Sequence, residues 1–289
     1  MNVCAIVLDY RGAPKTEICL FSMIGEPIHR VLVVDNSADH LASAALGLSV
    51  ERVRKVADFE IIVVGGQENM GFARGVNWAI QLDHDSGAPH DTYFLLNNDA
   101  VISPGLVSTL VAELETSDGL DVVAPVVLNA SELPQRMVWY DRYFGWQTAN
   151  RRPLSFPFLS GCCLLARSRV LKEGKLFDTS FFMYGEDVQL GWRMRREGRG
   201  ISCIDRCAVT HSAPPSSAQG GIFYEYHMVR AHLLLALRTW HHPAEIPLMI
   251  SAKFLWLTGR AIVRSIRYRS PIPVVALFMG LLPLSVRKP

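Results

Sequence analysis

The sequence predicts an α/β fold, with a mainly parallel sheet between helices over residues 1–220 and a separate helical region over residues 221–289. Three observations support this prediction. Strand-like and helix-like patterns alternate through the first half of the chain, which is typical of parallel βαβ units. Several apolar runs end abruptly in polar residues, as strands do at the ligand-binding edge of an open sheet. The charge balance and the apolar periodicity both change near residue 221.

Five apolar runs in the first half are predicted to be strands, because each is short and is followed by turn residues or a helix start. They cover residues 3–8, 30–34, 59–64, 93–96 and 122–127. After the second run, Ser37 is expected to cap a helix. After the fourth, the apolar run resumes at residues 100–102, and Ser103-Pro104 is expected to begin another helix.

The pattern changes over residues 129–160, which are rich in aromatic residues, prolines and arginines and show no clear period. A stretch of this kind inside a compact domain is predicted to be a substrate-covering segment. A buried strand follows at residues 160–166, then a helix at 188–197 that ends at Gly198. Two short strands are predicted after it, at 200–204 and 208–210.

The composition is that of an ordinary folded protein with a sizeable core, 49% hydrophobic and 19% charged over 289 residues. Residues 221–289 carry a formal charge of +7 and the rest of the chain −5. A basic tail on a mildly acidic body favours an anionic surface for the tail and argues against nucleic acid as a partner. The first apolar run is too short for a signal peptide, so a cytoplasmic body is expected. The six cysteines form no C-x-x-C pair and are predicted to be buried thiols.

The fourth predicted strand ends in Asn97-Asn98-Asp99. A carboxylate at this edge of the sheet could hold Mg²⁺ or Mn²⁺, which completes its coordination with phosphate oxygens and water. The alternative is an Asx turn that closes the strand.

Polar residues follow the other parallel strands at the same edge. Asp9-Tyr10 follows the first strand, Asp35 the second, and a helix begins near Gly71 after the third. A nucleotide would fit there, with Asp35 accepting a hydrogen bond from a uracil or thymine N–H. The amides near Gly71 and the guanidinium of Arg74 would meet the diphosphate. Alternatively, Asp35 belongs only to a turn, and Gly71 only permits close packing.

Together these motifs resemble the family 2 glycosyltransferases and, within them, the rhamnosyltransferase-like subgroup. Members of the family are inverting enzymes with the GT-A fold, a Rossmann-like nucleotide-binding mixed sheet flanked by helices. The resemblance covers roughly residues 3–240. The matching segments, in chain order, are 6–10, 31–37, 68–77, 95–99, 185–187 and His211.

The resemblance implies transfer of a sugar from a UDP- or dTDP-sugar, with dTDP-rhamnose as one candidate, to a hydroxyl of a lipid-linked or cell-envelope glycan. Asp187 would be the general base, Glu186 would help to hold the acceptor or its loop, and Asp99 and His211 would hold Mg²⁺ or Mn²⁺. The residues expected to bind the nucleotide-sugar are Asp9, Tyr10, Asp35, Gly71, Arg74, Asn77, Asn97, Asn98, Asp99 and Arg230. From the residues alone, Glu186 and Asp187 could simply be acids favoured in a helix first turn, and His211 a hydrogen-bonded histidine at a strand end.

The chain departs from the family pattern at three positions. Asn97 replaces the first acid of the metal motif, Asp9 replaces an Asn, and Ala231 stands after Arg230 where the family often has Asn. Because Asn97 weakens the metal motif, a non-catalytic nucleotide-sugar-binding scaffold of the same fold is the rival interpretation.

The C-terminal region has an amphipathic pattern. Its basic residues Lys253, Arg260, Arg264 and Arg267 share one helix face, with apolar residues nearer the other. This pattern predicts a helix in a membrane interface, bound to anionic lipid at the inner face of the cell membrane. Residues 272–286 are apolar but shorter than the roughly 20 residues of a span, so a peripheral or dipping segment is expected. A helix buried in a homodimer is the alternative.

Overall fold

The computed structural model describes residues 1–129, 134–212 and 221–282. Two compact units are present among these residues. The first comprises Met1–Val138, Pro157–Phe182 and residues 186–212, and the second comprises Trp139–Phe156, Met183–Gly185 and residues 221–282. The boundary expected at residue 220 lies outside the described residues.

Eleven strands and eight α-helices form over the described ranges. The strands are β1 (Val3–Asp9), β2 (Arg30–Asp35), β3 (Glu60–Gly65), β4 (Thr92–Asn97), β5 (Ala100–Ile102), β6 (Leu120–Asn129), β7 (Val138–Asp141), β8 (Gln147–Thr148), β9 (Ser155–Phe158), β10 (Cys163–Arg167) and β11 (Gly200–His211). The helices are α1 (Ala13–Phe21), α2 (His40–Arg54), α3 (Gly71–Asp85), α4 (Leu106–Thr116), α5 (Glu186–Arg196), α6 (Ile222–Arg238), α7 (Ile246–Tyr268) and α8 (Ile272–Leu281). The predicted α/β fold is confirmed.

The first unit is built on an eight-stranded mixed sheet in the order β3-β2-β1-β4-β10-β6-β11-β5. The first four of these strands are parallel, so their carboxyl ends meet at one edge. The register pairs Asp9 with Asp35 and Leu8 with Asn97. The polar residues predicted to share this edge are therefore brought together by the sheet itself.

Helices cover both faces of this sheet because the strand side chains alternate between two apolar clusters. Along β1, Val3, Ala5 and Val7 join the cluster that contains α1, α2 and α4. Cys4 and Ile6 join the opposite cluster, which contains α3 and α5. Five cysteines are buried and Cys203 is partly buried, and all six are free thiols.

The two helix starts predicted from single residues are capped differently. Asp39, not Ser37, caps α2 by accepting hydrogen bonds from the amides of Leu41 and Ala42. At α4, the carboxylate of Glu26 accepts the first amides from across the fold, and Ser103 does not act as the cap. The prediction missed both because the stronger acceptor is a carboxylate outside the expected position.

The two short strands predicted after Gly198 are one strand, β11, with a register shift between Ile204 and Ala208. The irregularity explains the polar interruption at residues 205–206. β11 runs parallel to β6 and antiparallel to β5, a short strand that the apolar residues 100–102 form. This pairing carries His211 to Ala100, next to Asp99.

A buried cluster of three residues lies near the amino ends of the strands, away from the edge that carries Asp99. Cys4, Asp83 and His90 have ligand-type atoms within 4.8 Å of one another. Asp83 already accepts hydrogen bonds from the His90 amide and the Tyr93 hydroxyl and forms an ion pair with Arg30. We assign it a structural role, because it ties the end of α3 to the sheet.

The second unit contains the helices α6, α7 and α8 and most residues of the three-stranded sheet β8-β7-β9. Part of the aromatic-rich segment, which shows no clear period in sequence, therefore forms short strands. Its predicted substrate-covering role stays a prediction.

The predicted orientation of the basic helix face is wrong for Lys253, Arg260 and Arg264, whereas Arg267, the fourth residue of that face, is exposed. Lys253 is fully buried and donates a hydrogen bond to the Tyr140 hydroxyl at 2.9 Å. Arg260 and Arg264 bind the buried carboxylate of Glu225 on α6 at 2.7 and 2.6 Å. These three side chains therefore pack inside the unit, where Glu225 on α6 pairs with the two arginines and Tyr140 accepts the hydrogen bond of Lys253.

One described stretch, Pro243–Tyr268, is long and apolar enough to cross a membrane by length and composition, a test that core helices of soluble proteins also pass. The more apolar stretch singled out in the sequence gives only the ten-residue helix α8 within its described part.

Candidate active site

Asp99 and His211 come together at the carboxyl edge of the sheet. Asp99 lies in the turn between β4 and β5, and its Oδ1 is 3.0 Å from His211 Nε2. The Ser212 amide donates to the Asp99 carbonyl, which fixes the end of β11 beside this turn. Asn97 Nδ2 is 3.4 Å from His211 Nε2.

This pair fits a divalent cation. Adjacent ligands of an octahedral ion with bonds of about 2.1 Å lie about 3.0 Å apart, the separation observed here. Both side chains are partly exposed, so phosphate oxygens and water could supply the remaining ligands. Asn97 adds an amide, not a second carboxylate, which leaves one negative charge from the protein at this position.

Lys15 belongs to the same group, although it was not among the predicted site residues. Its Nζ is 3.9 Å from Asp99 Oδ2, and its side chain is more than half exposed. The sequence could have indicated Lys15, because it stands in the first turn of α1, directly after β1, and that turn also lies at the carboxyl edge of the sheet. Its ammonium group places a positive charge beside the Asp99 carboxylate.

Asp9 and Asn98 form a structural link, which corrects the predicted nucleotide contact of the buried Asp9; the contact of the partly exposed Asn98 stays a prediction. The buried Asp9 carboxylate accepts hydrogen bonds from Thr16 Oγ1 at 2.5 Å, Asn98 Nδ2 at 3.1 Å and the Gly12 amide at 3.3 Å. The link holds the loop after β1 against the Asp99 turn. The neighbouring Tyr10 is exposed at this edge.

Asp35 is buried and held in one orientation. Its Oδ1 accepts hydrogen bonds from the amide and hydroxyl of Ser37, and its Oδ2 accepts from the Ser43 hydroxyl. Its contact with the base stays a prediction.

The amides at the start of α3 are already bound, so they do not offer the predicted diphosphate site. The Met70 amide donates to Asn36 Oδ1, the Gly71 amide to Asn69 Oδ1, and the Phe72 amide to the Phe182 carbonyl. Gly71 has φ +74°, and a Cβ there would lie 2.3 Å from the same carbonyl. Gly71 is therefore required for close backbone approach.

The two polar residues predicted farther along α3 also point elsewhere. Asn77 is buried, accepts hydrogen bonds from the Leu176 and Phe177 amides and donates to the Phe177 carbonyl. Its amide fixes that loop to α3, which corrects its assignment to the nucleotide. Arg74 lies 3.7 Å from Glu68 in a cavity of about 770 Å³, whose lining includes neither Asp99 nor His211.

Arg230 was expected to contact phosphate. In the second unit its Nη1 donates to the carbonyls of Gly280 and Leu282 at 3.2 and 3.4 Å. It therefore caps the end of α8, a favourable position for a cation at a helix C-terminus.

Glu186 and Asp187 begin α5 after Gly185, which has φ +87°. Asp187 accepts hydrogen bonds from the Gly161 amide at 3.2 Å and the Val188 amide at 2.7 Å and is partly exposed. Glu186 is buried, and its Oε2 accepts no hydrogen bond within the described part of the chain.

Burial and mutual repulsion shift the pKa values of these two neighbouring carboxyl groups. Burial, followed by the neighbouring Asp187, raises the pKa of Glu186 to about 8. Burial also raises the pKa of Asp187, although the Gly161 and Val188 amides oppose this by stabilising the carboxylate. The pair therefore holds one proton at neutral pH. Glu186 carries it, and Asp187, whose carboxylate accepts the two amide hydrogen bonds, is ionised.

The Gly161-Cys162 pair connects this acid to the Asp99 turn. Gly161 donates to Asp187, and the carbonyl of Cys162 accepts the Asn97 amide at 2.8 Å. Two consecutive residues thus link Asp187 at the start of α5 to the turn that carries Asp99. An ionisable carboxylate, an aspartate–histidine pair and an ammonium group are consequently assembled within the first unit.

Comparison with known proteins identifies the family and the fold. A family model described as "Glycosyltransferase like family 2" matches residues 19–222. The chain is 25% identical over 246 residues to an N-acetylglucosaminyl-diphospho-decaprenol L-rhamnosyltransferase of Mycobacterium tuberculosis, covering 74% of this chain and 77% of that protein. It is 21% identical over 274 residues to the low-salt glycan biosynthesis hexosyltransferase Agl10 of Haloferax volcanii, covering 91% and 84%.

Solved structures show the same fold. The mannosyltransferase PcManGT from Pyrobaculum calidifontis, in complex with GDP-Man and Mn²⁺, superimposes with a TM-score of 0.60 at 17% identity, covering 98% of this chain and 76% of that one. TarS of S. aureus with UDP-GlcNAc gives a TM-score of 0.57 at 15% identity, covering 97% and 80%. The chain therefore belongs to the family 2 glycosyltransferases and has the GT-A fold.

Proposed function

We propose that this glycosyltransferase moves a sugar from a UDP- or dTDP-sugar to a hydroxyl of a lipid-linked or cell-envelope glycan, with inversion at the anomeric carbon. The observation that carries the proposal is the Gly161-Cys162 bridge between Asp187 and the Asp99 turn. It joins a group able to accept a proton to a group suited to a diphosphate.

Asp187 is the general base in this proposal. It takes the proton of the acceptor hydroxyl as that oxygen forms its bond to the anomeric carbon, and the bond from this carbon to the diphosphate oxygen breaks. Glu186 remains protonated, so only one negative charge forms at the start of α5. The two amides on Asp187 hold its carboxylate in a fixed orientation.

The leaving diphosphate gains negative charge. Asp99 and His211 would hold Mg²⁺ or Mn²⁺, which neutralises such charge when bound. The Lys15 ammonium lies 3.9 Å from Asp99 Oδ2 and would add a positive charge to that of the cation. We propose that it partly compensates for the acid that Asn97 replaces.

The donor and acceptor classes follow from the relatives. The mycobacterial relative is named for a rhamnosyl transfer to a decaprenol-linked acceptor, so dTDP-rhamnose is the first donor to test. Because a polyprenol acceptor lies in a membrane, we propose that the enzyme works at the cytoplasmic face of the cell membrane.

A ligand panel tests the function. Unfolding temperatures would be measured with UDP-, dTDP- and GDP-sugars, each with Mn²⁺ and with EDTA, because a tight ligand stabilises the folded state. One uridine or thymidine donor should raise the unfolding temperature more with Mn²⁺ than with EDTA, and the same donor should support transfer to a polyprenyl-diphosphate sugar. Binding without donor hydrolysis or transfer in any acceptor screen would favour the non-catalytic scaffold instead.

A further inference from the structure

Helix α7 carries an apolar outer stripe. The stripe consists of Leu248, Leu255, Ile262, Val263 and Ile266, which are between 51% and 73% exposed. Their spacing of three, four and seven residues puts them on one side of the helix. From Leu248 to Ile266 the stripe extends about 27 Å at 1.5 Å per residue.

The opposite side of α7 is anchored inside the second unit, so the stripe cannot turn inward without breaking ion pairs. Lys253 contacts Tyr140, and Arg260 and Arg264 share Glu225. Removing a partner from a buried charge is costly. The outward orientation of the stripe is therefore fixed by the charged residues of the same helix.

Helix α8, which contacts α7, also carries exposed apolar residues. Gly280 allows close packing on α6, because a Cβ there would lie 2.4 Å from Val229 Cγ1. With Ala276 and Leu277 buried, α8 exposes Val275, Phe278, Met279 and Leu281, each between 42% and 64%. Exposed apolar area of this extent marks an interaction surface.

The charges in this region indicate the partner. Both acids of residues 221–282 are already paired, Glu225 with two arginines and Glu245 with Arg142. Arg267 and Arg269 are exposed at the C-terminal end of α7. If a second copy of the chain bound here, the unpaired arginines of the two copies would repel each other. An anionic lipid surface would instead neutralise their charge.

We infer that the outer stripe of α7, together with the exposed side of α8, binds the surface of an anionic lipid bilayer. The helix lies along the membrane interface, with its apolar side in the lipid and its charged side facing the protein. The inference deepens the proposed function, because it assigns the surface that brings the enzyme to a lipid-linked acceptor.

A surface position agrees with the packing better than a membrane span. A spanning α7 would carry Lys253, Arg260 and Arg264 into the hydrocarbon layer together with their partners on other elements. Ionisable groups at that depth are costly. Lying in the interface leaves every one of these contacts intact.

Vesicle flotation of the full chain tests the surface. The comparison uses vesicles of phosphatidylcholine alone and vesicles that also contain roughly 30% phosphatidylglycerol, which gives them a moderately negative surface. The triple variant Leu255→Gln/Ile262→Gln/Ile266→Gln should lose binding to anionic vesicles on the order of 100-fold, because it removes three aliphatic side chains from the lipid. A matched control is Leu41→Gln/Leu48→Gln on α2, whose side chains are 85% and 65% exposed; it should bind like wild type.

The charge contribution is tested separately. Arg267→Gln/Arg269→Gln should weaken binding to the anionic vesicles by about fivefold for each arginine and leave binding to neutral vesicles unchanged. Circular dichroism and the unfolding temperature would show that each variant is folded. Equal binding of the triple variant and wild type would overturn the inference.

Two further outcomes contradict it. Resistance of vesicle-bound protein to extraction with alkaline carbonate would indicate a span. A wild-type dimer in size-exclusion chromatography that the triple variant loses, with no vesicle binding by either, would show that a second copy covers the stripe. Donor hydrolysis and transfer to a water-soluble acceptor, both without vesicles, should be the same in all variants. The absence of both activities in every protein, with the vesicle pattern intact, would refute the proposed function alone.

Discussion

Replacing Glu186 by Gln should abolish a loss of folding stability that this side chain causes as the pH rises from 4.5 to about 8. The buried Glu186 has its pKa raised from 4.5 to about 8 by burial and by Asp187. The unfolded chain releases this proton more readily than the folded one. Below pH 4.5 both states are protonated, so the acid carries no penalty there, and folding stability falls as the pH rises from 4.5 to 8.

The size of the effect follows from the two pKa values. At 1.36 kcal/mol per pH unit, a rise from 4.5 to about 8 makes the wild-type protein about 5 kcal/mol less stable above pH 8 than below pH 4.5 through this group. Gln cannot ionise and carries no such dependence. The stability difference between variant and wild type should therefore grow by about 1 kcal/mol per pH unit between pH 5 and pH 7.5.

Urea unfolding at several pH values between 5 and 9 measures this difference. A constant contribution from the buried amide of Gln shifts all points equally, so the slope against pH is the test. Glu173→Gln, a change of the same chemistry at an exposed position, is the control and should follow wild type. Parallel pH curves for wild type and Glu186→Gln would refute the assignment of the shared proton to Glu186.

Three other substitutions test the roles of single side chains. Asp99→Ala should abolish the Mn²⁺-dependent part of nucleotide binding, and calorimetry showing equal affinity with Mn²⁺ and EDTA in wild type would contradict the metal role. Lys15→Gln should raise the KM for the donor about tenfold through loss of one charged phosphate contact; an unchanged KM would remove Lys15 from the site. Asn77→Ala should lower the free energy of unfolding by about 2 kcal/mol, because it leaves the Leu176 and Phe177 amides unpaired, while a large loss of donor affinity without loss of stability would restore the nucleotide role.

The sheet and its polar edge could be predicted from sequence because they depend on local patterns. Apolar runs that end in Asp9, Asp35 and Asp99 show where parallel strands end, and parallel strands bring their carboxyl ends together. The position of His211 was predicted from the family motif alone. In the structure it depends on the register of β11, including the shift after Ile204.

The hydrogen bonds of the site could not be predicted in the same way. The amides near Gly71 have a helix-start pattern that suits phosphate, yet Asn36 and Phe182 bind them from distant parts of the chain. The same limit applies to α7. A row of basic residues has one periodicity whether it faces lipid or a buried acid, and only the position of Glu225 decides between the two.

The most direct test of the proposed chemistry is the pair of rates and affinities for Asp187→Asn. If Asp187 is the base, the rate of sugar transfer should fall by about 1,000-fold, because the amide of Asn cannot take the proton. Calorimetry should show a donor affinity within about twofold of wild type, because the isosteric change leaves the contacts of the donor diphosphate in place. Transfer at the wild-type rate, or donor affinity lost in proportion to the rate, would contradict the assignment.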